Sequence, residues 1–314
     1  MTFRALLLAL LLAVPPGATA QELTPSAPEK PSQVNQILET LDLTPGPDGK
    51  LSPAQMQELT RRVAENFLDN YKKERDYTFV RREVQNTLDG KDQVKSSETK
   101  THDISQIYGE QVWRLIEKND KPLDAKDAAK EDEKIQKIID KRKNESEDDR
   151  KKREAKDAKQ IEDLREFVRA VVETHTFTLV GSEVVDGRDA WVIEGEPREH
   201  SEAHEKGANL VSKFRGRLWI DKSDVQLAKF DIEATDTASV GWVLARIHKG
   251  TRVLLQRSRI NDEVWLPQSL SYKLDARVAL FKGYKVDAQV TYRDYKKFRT
   301  SSKIVGMGEV PAEK

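Results

Sequence analysis

The sequence contains no cysteine in 314 residues. That absence excludes structural disulfides, thiolate nucleophiles, thiolate metal ligands and a lipid anchor carried on cysteine. Net charge is absent as well, because 54 Lys and Arg balance 54 Asp and Glu. No global field therefore draws the chain to nucleic acid or to a polyacidic partner. Beyond residue 14 no apolar run approaches the roughly twenty residues that a spanning helix needs, so no transmembrane segment is expected. There is no phosphate-cradling glycine loop, no Gly-x-Ser-x-Gly elbow and no dinucleotide fingerprint. A chain of this length without disulfides must be held by an ordinary apolar core.

What is present begins with an export pattern. Arg4 precedes an apolar run from Ala5 to Val14, and Ala18-Thr19-Ala20 forms a small-residue cleavage box. Residues 1–20 are read as a signal peptide cleaved after Ala20, which places the mature protein in the periplasm or makes it secreted. Residues 21–51 follow as a proline-containing tether, with a short amphipathic helix at Val34, Ile37, Leu38 and Leu41. Asp48-Gly49-Lys50 imitates half of a calcium loop, but Thr44, Gly46 and Gln55 fall at its ligand positions and supply too little charge.

Ser52-Pro53-Ala54-Gln55 is a capping box with proline at the first helical position. Met56, Leu59, Val63, Phe67 and Tyr71 then recur at helical spacing, so this helix carries an apolar stripe. Val80, Val84 and Leu88 share a face of the first strand, and the nearly all-polar stretch 93–102 reads as an exposed edge strand. The segment 124–174 is dense in charge and reads as a protruding helical hairpin insertion. Its second helix gains an apolar face only at Ile161, Leu164, Val168, Val171 and Val172.

Strands dominate thereafter, in nine or ten runs linked by turns such as Asp186-Gly187 and Asp221-Lys222-Ser223-Asp224. The clearest alternation runs from Ser269 to Phe298: Leu270, Tyr272, Leu274, then Val286, Val290 and Tyr292 on one face, Lys and Asp on the other. No βαβ spacing occurs. The fold class is α+β, a large curved antiparallel sheet with helices over its concave face. Trp113, Trp191, Trp219, Trp242 and Trp265 all fall in strands, so the apolar side is broad.

Two packings fit that pattern. Either the helices fill the concave face, or they leave a cavity that accepts an acyl chain. The residues expected to line such a cavity are Phe67, Leu218, Ile220, Phe230, Ile232, Leu270, Tyr272, Leu274, Val286, Val290 and Tyr292. No cofactor is expected, and no catalytic residue is assigned. His200 and His204 are spaced to share a helix face, but Ser201 stands where a zincin has Glu, so a metal-dependent hydrolase is only a remote alternative. Basic residues among aromatics near Tyr292 to Phe298 are offset by Asp294 and by export, and no nucleic-acid partner is expected.

The exported helix-then-strands order, Val264-Trp265-Leu266-Pro267, and the final Asp294-Tyr295-Lys296-Lys297-Phe298 resemble the LolA superfamily of periplasmic lipoprotein carriers, which includes the lipid-binding domain of RseB. The resemblance covers residues 52–300, with 301–314 as a tail. It implies an unclosed β-barrel with a helical lid over a concavity that receives acyl chains of lipid or lipoprotein. A non-enzymatic envelope sensor or interaction module is the rival reading, with a fully packed sheet and a protein partner at 124–174.

Overall fold

The computed structural model describes residues 42–199, 207–240, 245–278 and 282–297. The expected leader, the tether up to Leu41, His200, His204, Trp242, Phe298 and the tail 301–314 lie outside the described residues. The first elements are α1 (Pro53–Glu74), β1 (Tyr77–Leu88), β2 (Val94–Ile107), β3 (Glu110–Lys118), β4 (Lys121–Pro122), α2 (Ala125–Lys143) and α3 (Glu147–Thr174). Then come β5 (His175–Val185), β6 (Arg188–Pro197), α4 (Ala208–Val211), β7 (Phe214–Asp221), β8 (Leu227–Ala234), β9 (Ala238–Val240) and β10 (Ala245–Ile247). The chain closes with β11 (Arg252–Ile260), β12 (Val264–Val278) and β13 (Lys282–Lys297).

Local chemistry explains the boundaries. At the start of α1 the Ser52 hydroxyl accepts the Gln55 N–H at 3.3 Å, and the Gln55 side chain accepts the Ser52 N–H at 2.9 Å. Such a reciprocal cap contributes about 1 kcal/mol. Tight turns fall where two successive residues take positive φ: Tyr108-Gly109, Asn119-Asp120, Asp186-Gly187 and Asn261-Asp262. That backbone matches the right-handed strand twist, so the first three link neighbouring strands with two residues, and Asn261-Asp262 with Glu263 links β11 to β12 with three.

All the pairings are antiparallel, in the order β4-β3-β2-β1-β13-β12-β11-β8-β7-β6-β5, with β9 and β10 appended to β12. Among the described residues the sheet does not close, and its main path ends at β4 and β5, with β9 as a short outer strand on β10. One expectation changes: the polar strand β2 is interior, between β1 and β3. The last strand, β13, lies in the middle of the sheet against β1 and β12.

The reason is visible along the concave face. One cross-strand row reads Leu179, Ile193, Leu218, Phe230, Leu255, Leu270, Val290, then Glu83 and Lys100. Apolar floor gives way to polar floor at β1, so polarity in β2 marks a change of surface and not an edge.

The charged hairpin does not protrude. Its first helix, α2, runs back along β3: the Glu131 carboxylate accepts the Leu115 N–H at 3.1 Å, and the Lys134 ammonium donates to Trp113 O at 3.1 Å. Arg142 then reaches Glu110 at 2.7 Å, at the far end of β3. Nineteen helical residues span about 28 Å and nine strand residues about 30 Å, so the two elements match in length. Much of the hairpin's charge is paired internally, as in Lys130–Asp127, Lys137–Glu133 and Arg153–Glu145.

Candidate functional site

Helices α1 and α3 lie over the apolar half of the concave face and do not fill it. A cavity of about 220 Å³ remains between them and β5 to β8. For scale, an apolar cavity of about 150 Å³ already accommodates benzene. Its roof is Met56, Leu59, Val63 and Phe67 of α1 with Phe167, Val168, Val171 and Val172 of α3, and Leu210 and Val211 of α4 close one side. Its floor is Phe177, Ile193, Phe214, Leu218, Ile220, Leu227, Phe230 and Ile232.

Two of the residues lining the floor lack side chains. Gly195 and Gly216 are direct cross-strand partners, flanked in the same row by Phe177 and Ile232. A Cβ on Gly216 would stand 2.2 Å from Asp231 O, so β7 and β8 could not keep their approach. A Cβ on Gly195 would meet only the Phe177 ring, at 3.1 Å. Glycine at these points lets backbone or ligand come close, the usual meaning of glycine inside a strand.

Two polar groups in the wall, Thr60 and His175, are already engaged. The Thr60 hydroxyl donates to Met56 O at 2.7 Å. His175 is buried, with Nε2 2.9 Å from Phe214 O and Nδ1 3.1 Å from Val171 O. Donation from Nε2–H to Phe214 O leaves Nδ1 as an acceptor beside the Thr174 hydroxyl at 2.9 Å, so the imidazole nitrogens are both engaged away from the cavity. An occupant meets a wall that is almost wholly aliphatic and aromatic.

The roof helix α1 is latched to the sheet by two asparagines one turn apart. Asn66 Nδ2 donates to Val225 O at 3.0 Å and lies 3.2 Å from Asp224 O. Asn70, buried, both donates to Trp265 O at 2.5 Å and accepts the Trp265 N–H at 2.7 Å. Arg257 is also buried here; it donates to Trp265 O at 2.6 Å and stacks on the Phe67 ring at 5.6 Å. Burial pushes its guanidinium down to about 10, against the pull of Glu74. Burial in turn raises the Glu74 carboxyl, and Arg257 opposes that.

The turn that Asn66 grips is rigid in its own right. Asp221 accepts two bonds from Arg188, at 2.7 and 3.0 Å, and the N–H groups of Ser223 and Asp224. Burial works to raise the Asp221 carboxyl, but Arg188 and those backbone groups outweigh it and hold it below the usual range. Beyond the apolar floor, Tyr272 OH donates to Glu83 at 2.7 Å and Arg81 pairs with Glu83 at 3.0 Å while lying over Trp113.

Of the residues expected to line a cavity, Phe67, Leu218, Ile220, Phe230 and Ile232 do so. Leu270, Tyr272, Leu274, Val286 and Val290 are buried in the packed core of β12 and β13, and Tyr292 packs against that core. Sequence reasoning passed over the Gly195/Gly216 pair and α4. The signal for the first was two glycines in otherwise alternating strands. Among the described residues, no group of three or more His, Asp or Glu is placed to hold a metal ion, and no helix is long and apolar enough to cross a membrane.

No family model and no curated protein sequence matches the chain. Solved structures similar to it include a domain assigned to outer membrane lipoprotein sorting from Vibrio parahaemolyticus, 11% identical, covering 78% of this chain and 95% of that one at a TM-score of 0.32. A LolA superfamily protein from Nitrosomonas europaea is 11% identical, over 77% and 93%, at 0.26. The MucA/MucB complex of Pseudomonas aeruginosa matches at 11% identity, over 77% and 98%, at 0.23. All three are distant likenesses of fold.

Proposed function

We propose that this protein is a periplasmic carrier that shelters an acyl chain of a lipid or lipoprotein in the cavity under α1 and α3. The observation that carries the reading is the cavity itself: open space over an aliphatic and aromatic floor, with Thr60 and His175 in its wall engaged with backbone. Each methylene moved out of water gains about 0.8 kcal/mol, so roughly ten give about 8 kcal/mol, the micromolar range. The apolar enclosure selects chain length and saturation, and leaves the polar end of the cargo outside. Binding needs no chemistry, in keeping with the absence of nucleophile and cofactor motifs from the sequence.

Organic extraction of the purified protein followed by mass spectrometry, with displacement of a fluorescent fatty acid, tests this. A bound acyl species and saturable displacement are expected, with binding weakened at least tenfold by Leu218→Glu. A protein that yields no lipid and binds no fatty acid is not a carrier.

A further inference from the structure

The two ends of the sheet's main path are treated differently. The β3/β4 edge is covered by α2, its backbone is bonded by Glu131 and Lys134, and its last strand is two residues long and ends in Pro122. Those are the devices that keep an edge from pairing with another chain. The β5 edge has no covering helix, no side chain bonded to its outer backbone and no proline among the described residues; its one irregularity is a β-bulge between Leu179 and Gly181. Among the described residues this strand of eleven pairs with β6 alone, and it carries no Lys, Arg or Pro. Its one acid, Glu183, is turned onto the Trp219 indole at 2.7 Å. Val180 and Val184 stand 47% and 67% exposed.

Backbone groups on that edge are free to bond. Arg198 N–H donates to Thr174 O at 2.9 Å, so alternation turns the N–H and C=O of Phe177 and Leu179 away from β6. At the other end the two-residue turn makes Val185 and Arg188 a bonded pair, which turns those of Ser182 and Val184 outward. The same strand supplies the cavity wall through His175 and Phe177. Edge and cavity are therefore continuous.

From this we infer that β5 takes an extended polypeptide as an added antiparallel or parallel strand, and that the polypeptide is the segment next to the acyl group held in the cavity. The cargo class becomes an acylated protein and not a free lipid. The inference rests on the carrier reading, and it supplies main-chain hydrogen-bonding partners for the polar part of the cargo. Main-chain bonds give such strand addition its affinity with little dependence on side-chain identity, which suits many different cargo sequences.

The test compares palmitoyl-glycine with an N-terminally palmitoylated, uncharged decapeptide. The decapeptide should bind roughly tenfold more tightly, since a few main-chain bonds each add a modest net gain. On the wild-type protein it should slow amide exchange at Ser182 and Val184, and palmitoyl-glycine should not. The double variant Ser182→Pro with Val184→Lys should lose the tenfold gain and keep its affinity for palmitoyl-glycine. Val180→Lys serves as the milder variant should the first lose its thermal transition. Equal affinity for the two ligands overturns the inference, as does protection of these amides that rises with protein concentration alone, the mark of a second copy on the edge. Failure of palmitoyl-glycine itself to bind is separately visible, and removes the carrier reading together with this extension of it.

Discussion

Replacing Asn70 by alanine isolates the latch between roof helix and sheet. The side chain is 2% exposed and satisfies both backbone groups of Trp265, in a place water does not reach. The two losses are unequal. Trp265 O keeps a second donor, the Arg257 guanidinium at 2.6 Å, whereas no other bond is made by the Trp265 N–H outside its strand pairing with Arg259. An orphaned buried N–H costs about 1–3 kcal/mol, and the small cavity left by the amide adds to it, giving about 2–4 kcal/mol. At a urea slope of roughly 2–3 kcal/mol per molar, the midpoint should fall by about 1 M. Asn70→Asp keeps the acceptor for Trp265 N–H but sets a carboxylate against Trp265 O, so it should also destabilise, and more so as pH rises above the carboxylate range. A midpoint shift below about 0.2 M for Asn70→Ala would refute the reasoning, since α1 would then be held by its apolar face alone.

Other consequences are equally open to measurement. Gly216→Ala should cost about 2–4 kcal/mol by thermal melt, because its Cβ meets backbone 2.2 Å away, whereas Gly195→Ala presses only on a ring and should stay within about 1 kcal/mol while weakening fatty-acid binding. Arg257→Met, which removes a buried charge and keeps the stem, should leave stability within about 1 kcal/mol of wild type or raise it, and a loss above about 3 kcal/mol would show the charge to be needed. Asp221 has its carboxyl held below the ordinary 3.8 by Arg188 despite burial, so its stabilisation is complete above that value and is lost as pH falls through the lower, folded-state value. Urea midpoints from pH 6 to 2.5 should therefore fall less steeply in Asp221→Asn, which begins about 2 kcal/mol less stable; parallel curves would contradict the assignment.

The elements that were legible in the chain are those with one apolar side. Leu270, Tyr272 and Leu274 against Val286 and Val290 alternate because one face is core, and β12 pairs with β13 in that register. The cap of α1 was legible from four residues. The sheet order was not, because β1 conceals its inner face: Arg81, Glu83 and Gln85 point into the concavity, and the apolar Val80 and Val84 lie on the other side. A pattern rule that assigns hydrophobic residues to the inside therefore reads this strand backwards. The polar β2 was taken as an edge for the same reason. The close approach of β8 and of the Phe177 ring at the cavity floor depends on what is missing from Gly216 and Gly195, and an absent side chain leaves no periodic signal. The course of α2 along β3 is set by Glu131 and Lys134, two charges among many with nothing local to distinguish them.

The pairing of β1 with β13 also has a kinetic side. Tyr77 lies opposite Lys297, roughly 220 residues later in the chain, and this contact is at the middle of the sheet. Closing a loop of that length costs about 5 kcal/mol of chain entropy before any of the pairing returns it. The two halves, β1 to β3 and β5 to β12, can each form from local hairpins, and the last long strand joins them. Until it arrives, β1 and β12 both expose long unpaired edges, the condition in which β-rich chains misassociate. Folding should thus be slow, limited by the docking of β13, and most vulnerable to truncation at the C-terminal strand.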